Sequence, residues 1–140
     1  MDSIDRAIVS ELQRYGRIPN NDLADLVGLS PSPCLRRVRR LEADGVIAGY
    51  SAVLDREAVD CAYEPIVWAT LTSVTRESML EFEQAIQAIP SIIEAARMMG
   101  QPAYFLRVVA ADAEAFETIY MDELAALPHV QTLTSQLAMK

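Results

Sequence analysis

Arg36, Arg37, Arg39 and Arg40 crowd four permanent cations into one short stretch, Pro31-Ser-Pro-Cys-Leu-Arg-Arg-Val-Arg-Arg-Leu41. A guanidinium is a planar fork of donors, suited to phosphate oxygens and to the paired acceptors on a guanine edge. Their spacing decides what they can do. Leu35, Val38 and Leu41 recur at a three-residue interval and line one side of a helix. At about 100° per residue, Ser32, Arg36 and Arg40 then fall on the opposite side, with Arg37 and Arg39 at its flanks. A helix apolar on one side and cationic on the other suits the space between two phosphate backbones. Arg36 and Arg40 are the expected groove contacts, to bases or phosphates. Arg37 and Arg39 are expected to meet phosphates or to form local ion pairs. Ser30 and Ser32 stand at the helix start, where a cap, a Pro31 at the first helical position and open amide groups make an anion site. Ser30 is expected to cap, and either serine could also touch a phosphate.

The elements that must hold this helix precede it. Asp2 or Ser3 can cap a first helix whose Ile4, Ile8 and Leu12, with Val9 and Tyr15 beside them, form a buried side. Gly16 is expected to end it in a left-handed conformation. Asn20 can cap a second helix that buries Leu23, Ala24 and Val27. Gly28-Leu29 makes a sharp turn, with Leu29 plugging the angle between helices, and the arginine helix runs on to about Asp44 before Gly45. Together these helices predict a helix-turn-helix. Val46-Ile47 and Tyr50 to Leu54, joined by Ala48-Gly49, are expected to form a two-stranded wing or an extended arm. Residues 55–63 look like a hinge with one helical turn.

Beyond the hinge, Pro65 to Leu71 is an apolar run of strand formers. A helix is expected from Arg76 to Ala88, strands over 91–99 and from Ala103 to Ala110, a second helix after Asp112, and a last strand from Val130 to Met139. This strand-helix-strand-strand-helix-strand order predicts a ferredoxin-like βαββαβ domain. The fold class is therefore α+β: an N-terminal winged helix-turn-helix over 1–50, a linker over 51–63, and a ferredoxin-like domain over 64–140, the part to which the resemblance given below assigns effector binding and oligomerisation. Trp68, Met98, Phe105 and Leu133 make the sheet too apolar to leave one whole face in water. Sheet-to-sheet packing of a second copy is the economical solution, and a two-fold dimer would read paired half-sites.

Charge is unevenly distributed. The net charge of −8 belongs wholly to residues 51–140, which carry five basic and thirteen acidic residues, whereas residues 1–50 carry seven arginines and seven carboxylates. An acidic protein can thus present a locally basic helix to nucleic acid. No apolar stretch reaches bilayer-spanning length, and the acidic start MDSIDRAIVSEL lacks the pattern of a leader, so a cytoplasmic location is expected. Cys34 and Cys61 do not make a disulfide framework, and Cys34 is expected to be a small buried side chain. His129 is the only histidine, expected to be exposed and without catalytic partners. Neither a metal-ligand cluster nor a phosphate-cradling glycine loop is present, so catalytic, metal and cofactor sites are all expected to be absent.

The chain resembles the Lrp/AsnC, or feast/famine, family of transcriptional regulators. The resemblance rests on Asp2-Ser3-Ile4-Asp5-Arg6, Asn21-Asp22-Leu23-Ala24, Val27-Gly28-Leu29-Ser30-Pro31-Ser32, Leu35-Arg36-Arg37-Val38, Leu41 to Ile47, and Gly49-Tyr50. It implies promoter DNA as partner, C-terminal dimers that associate into tetramers or octamers, and modulation by an amino acid or related metabolite. It also points to an effector turn at Met98, Met99, Gly100 and Gln101, with Tyr104 nearby. Ala103 stands where the family commonly has an aspartate able to accept an amino group. Two alternatives remain: a haem-biosynthesis decarboxylase, whose chemistry needs a basic pocket for an anionic tetrapyrrole, and a sensor or assembly protein that binds no DNA.

Overall fold

In the computed structural model, which describes residues 1–137, the first helix, α1 (Ser3–Arg14), opens on a capping box. The Asp2 carboxylate accepts the Asp5 N–H at 2.8 Å and the Asp5 carboxylate accepts the Asp2 N–H at 3.2 Å, satisfying two otherwise orphaned donors. Ile8 is fully buried, with Ile4 and Leu12 packed around it. Tyr15 turns outward instead of joining that side. Gly16 does not take the expected left-handed conformation; the chain turns through a hydrogen bond from the Ile18 N–H to the Tyr15 carbonyl.

The next helix, α2 (Asn20–Leu26), is preceded by Pro19, so Asn20 lies inside it and is not its cap. Its side-chain amide instead donates to the Pro31 carbonyl at 2.9 Å, tying α2 to the start of α3 (Pro31–Ala43). Gly28 makes the turn at φ 69° and Gly45 follows α3 at φ 70°, both in the left-handed region that favours glycine. The core of this unit is Ile8, Leu23, Ala24, Cys34 and Leu41, with Leu29, Val38 and Ile47 against it.

Cys34, rather than Leu35, therefore centres the buried side of α3; Leu35 is 38% exposed. A three-residue interval drifts by about 60° per step, whereas positions seven apart return almost to the same direction, and it is Cys34 and Leu41 that share the core. After α3 neither strand of the expected wing forms. Residues 48–55 carry no strand pairing. Neither Ala48 nor Gly49 has the positive φ that a two-residue hairpin turn demands, so no wing hairpin closes there.

The chain divides into two compact units between Val53 and Leu54. In the second, a short turn at Glu57–Val59 leads to β1 (Pro65–Leu71), α4 (Arg76–Ile86), β2 (Ile92–Arg97), β3 (Tyr104–Val108), α5 (Ala113–Ile119) and β4 (Val130–Leu137). Met139, expected in the last strand, and Lys140 lie outside the described residues. Every pairing in the sheet is antiparallel, in the order β2-β3-β1-β4. Alternation along β1 and β3 turns Val67, Ala69, Leu71, Tyr104, Leu106 and Val108 into a core with Phe82 and Ile86 of α4 and Leu124 beyond α5. The opposite face holds half-buried Trp68 and Phe105, cross-strand partners with rings 5.4 Å apart edge to face. Leu133 lies opposite Ala69 and packs on the covered side, and Met98 lies beyond the end of β2.

α1 and α3 are fastened by Asp5, whose carboxylate is buried at 1% exposure. Its two oxygens take Arg37 at 2.7 Å and Arg40 at 2.6 Å, and Arg37 also reaches Asp2 at 2.7 Å. Hydrogen bonding from Arg37 holds the Asp5 carboxyl below the usual carboxylate range against the opposing effect of burial. The Asp5 N–H, then Arg37, lower Asp2 likewise. Carboxyls depressed on folding stabilise the protein above their unfolded pKa, and that contribution fades as pH falls through the lower folded values. We expect wild-type thermal stability to drop as pH falls below about 4. Asp5→Asn should unfold at a lower temperature at neutral pH and lose much of that acid dependence. Melting curves followed by circular dichroism across this range test it, and identical pH profiles would refute the assignment.

Candidate nucleic-acid interface and effector turn

Rotating the buried side of α3 onto Cys34 and Leu41 rotates its outer side too. Ser32, Arg36 and Arg39 are exposed there, and among the described residues neither Arg36 nor Arg39 pairs with a carboxylate. Arg37 sits on the inner flank with its side chain 25% exposed, spanning Asp2 and Asp5. Arg40 lies near the outer side, its side chain 53% exposed, but its guanidinium is held by Asp5. The six residues expected at this surface thus fall into two sets. Ser30, Ser32, Arg36 and Arg39 make no ion pair, and Arg37 and Arg40 are bound internally.

Ser30 occupies the cap position with extended backbone, yet its hydroxyl makes no capping bond. The sequence removes one of its two usual partners. A cap oxygen normally accepts the N–H of the second or third helical residue, and the third here is Pro33, which has none. Pro31 has none either, so Ser32 carries the sole backbone N–H among the first three residues of α3. Asp2 and Asp5 are the neighbours of these arginines that the sequence pattern concealed. Two acids three apart at a helix start signal a capping box, but nothing local announces arginines more than thirty positions away.

In the second unit, Met98, Met99, Gly100 and Gln101 form an exposed turn between β2 and β3. Gly100 has φ 115°, and the turn is closed by the Met98 N–H donating to the Ala103 carbonyl at 2.8 Å. Ala103 is buried and its N–H donates to Ala69. Tyr104 does not join this turn. It faces the core, its ring centroid 4.6 Å from that of Phe82, and its hydroxyl donates to Glu83 at 2.8 Å. Burial pushes the Tyr104 phenol up, and Arg97, which donates to the same Glu83 oxygen at 2.9 Å, lowers Glu83. Glu83, Arg97 and Tyr104 line one end of a groove of about 300 Å³ along α4 and β2.

The cations of this unit are largely committed. Arg56 pairs with Glu64, Arg107 with Glu64 at 3.4 Å and Glu94 at 3.2 Å, and Arg97 with Glu83. Such pairing leaves little positive lining for an anionic tetrapyrrole. His129, expected to stand alone, is half-buried and 2.6 Å from a Glu81 oxygen. Both cysteines are free, and burial pushes the Cys34 thiol up, away from the reactive thiolate. Among the described residues there is no group of three or more histidine, cysteine or acidic side chains able to hold a metal, and no helix long and apolar enough to cross a membrane.

Comparison with known proteins agrees with this architecture unit by unit. Residues 1–48 match the winged helix-turn-helix DNA-binding family, and residues 64–140 match the Lrp/AsnC ligand binding domain. The leucine-responsive regulatory protein of Haemophilus influenzae is 41% identical over 140 residues, covering 100% of this chain and 84% of that protein. Its namesake in Escherichia coli is 37% identical, with 100% and 85% covered. An AsnC family transcriptional regulator from Agrobacterium tumefaciens superposes with a TM-score of 0.92 at 34% identity, covering 100% of this chain and 91% of that one. A transcriptional regulator from Neisseria meningitidis, crystallised as a complex with L-Met, gives 0.93 at 29% identity, with 100% and 90% covered. Family matches over both units, relatives and superposition agree: the chain belongs to the Lrp/AsnC family and is a sequence-specific DNA-binding transcriptional regulator.

Proposed function

We propose that α3 enters the major groove with Ser32, Arg36 and Arg39 toward the duplex, in a cytoplasmic homodimer whose promoter occupancy responds to an amino acid. The observation that carries the reading is the outer side of α3, where two arginines lacking a carboxylate partner stand beside Ser32. A guanidinium in that position can fork onto guanine or clasp a phosphate, and Ser30 with the Ser32 N–H supplies donors for a neighbouring phosphate. A homodimer would present two such helices to paired half-sites. Assembly of dimers into tetramers or octamers is a further step of the same reading.

The open sheet face supports the dimer. Trp68 and Phe105 form an aromatic pair flanked by Ile66, Thr70 and Thr134, the composition of an interface centre with a polar rim. The effector reading is supported by the ligand-binding-domain match and by the L-Met complex of the Neisseria relative. On this chain the ligand would meet Met98, Met99, the Gly100 backbone and Gln101. With Ala103 in place of a carboxylate, its ammonium would have to rely on carbonyl oxygens and the Gln101 side chain. Tyr104 contributes by anchoring β3 beneath the turn. The ligand alters occupancy only if it favours one assembly or head arrangement over another.

Three outcomes are expected. Arg36→Ala and Arg39→Ala should each weaken binding to the protein's own promoter fragment, by about 1–3 kcal/mol where the contact is a bidentate base pairing. Fluorescence anisotropy measures this, and undiminished affinity in the double variant would reject the surface. Trp68→Arg should weaken the dimer by about 2 kcal/mol or more, as expected for a central aromatic anchor. Sedimentation over a concentration series reads it; a wild type that stays monomeric throughout sinks the dimer. Finally, L-Met or L-Leu should raise the melting temperature, and Gln101→Ala should shrink that rise without changing the unliganded melt. A full amino-acid panel giving no shift would remove the effector claim.

A further inference from the structure

The clasp between α1 and α3 consumes two of the four arginines on the helix that meets DNA. We propose that Asp2 and Asp5 are positioning residues for DNA recognition, holding Arg37 and Arg40 on carboxylates at the start of α1 so that, of the four arginines of α3, only Arg36 and Arg39 face the duplex as free cations. This rests on the reading of the outer side of α3 as the DNA contact. Each Asp5 oxygen engages a different arginine, Arg37 at 2.7 Å and Arg40 at 2.6 Å, so one carboxylate sets the direction of two side chains. Asp2 adds a second acceptor to Arg37 at 2.7 Å.

A carboxylate–guanidinium contact is the same chemistry as a phosphate–guanidinium contact. A phosphate approaching Arg40 must therefore displace a partner already in place. Asp5, at 1% exposure, would keep Arg37 on one oxygen but lose the cation on the other, a costly loss for a buried carboxylate. Two acids and two arginines cancel in charge, so the clasp removes sequence-blind attraction from the surface. Binding then relies more on the contacts that distinguish bases. Arg40 is close enough to the surface to reach a phosphate once released, with 53% of its side chain exposed; Arg37, at 25%, also needs Asp2 removed.

The test uses the full-length protein, its promoter fragment and an unrelated duplex of equal length, titrated over a salt series. Asp5→Asn keeps an oxygen that can accept the Asp2 N–H while removing the charge that holds Arg40. It should tighten binding to the unrelated duplex, steepen log K against log salt by about 0.9 for every phosphate newly neutralised in each subunit, and lower the promoter preference several-fold. Adding Asp2→Asn should release Arg37 and add a second step of similar size. Adding Arg40→Gln to Asp5→Asn should return the salt slope to the wild-type value without restoring the melting temperature. A purely structural clasp would lower stability and weaken both duplexes alike with the slope unchanged, and that result overturns the proposal. If Arg36→Ala and Arg39→Ala bind like wild type, the interface reading has failed instead, and the two failures are distinguishable.

Discussion

A carboxylate withdrawn from water tolerates that position only when its charge is answered and its lone pairs are filled. Asp5 meets both conditions at once: two guanidiniums, one on each oxygen, and the Asp2 N–H. The arrangement couples three levels of the first unit. It starts α1, packs α1 against the arginine-bearing face of α3, and selects which cations remain at the surface. The apolar core around Ile8, Leu23 and Leu41 brings the helices together without fixing rotation about their axes. The ion pairs add a rotational constraint, because Asp5 at the start of α1 is tied at once to two positions of α3, Arg37 and Arg40.

The second unit solves a different problem with neutral parts. Its sheet needs one closed core, supplied by Val67, Leu106, Val108 and Phe82, and it has a second face on which Trp68 and Phe105 are stacked edge to face but only partly covered. Acidic residues dominate the rest of this unit, and most of its arginines are absorbed by them. Charge on the two units is thus managed in opposite ways. The first leaves Arg36 and Arg39 unpaired on α3, and the second pairs Arg56, Arg97 and Arg107 with carboxylates among the described residues. Such a division suits a protein that must meet a polyanion at one place only.

Much of this architecture is legible in the chain itself. Helix starts at Asp2 and Pro31, the turn at Gly28, the stop at Gly45 and the order of strands and helices follow from local chemistry and periodicity. What escapes depends on partners far along the chain or on parity. Leu35 and Cys34 are adjacent and both apolar, so only packing against α1 and α2 decides which is central. Asp5 looks like a capping residue, and its arginines lie more than thirty positions away. Tyr104 and Phe105 are neighbouring aromatics on a strand, and sequence alone does not say which points to α4. Tyr104, expected near the effector turn, turns its ring into the core, and only packing against α4 settles which of the two aromatics does so. The arm after Gly45 has strand-forming residues but lacks the turn geometry to pair them.

Pro33 has a quieter effect. It deletes one of the two amide hydrogens a cap would bind, leaving only the Ser32 N–H, and Ser30 makes no capping bond. Side chains at that position are therefore nearly decoupled from foldability. On the proposed orientation of α3, a substitution there changes the surface offered to DNA while leaving the bonding of the helix end as it was.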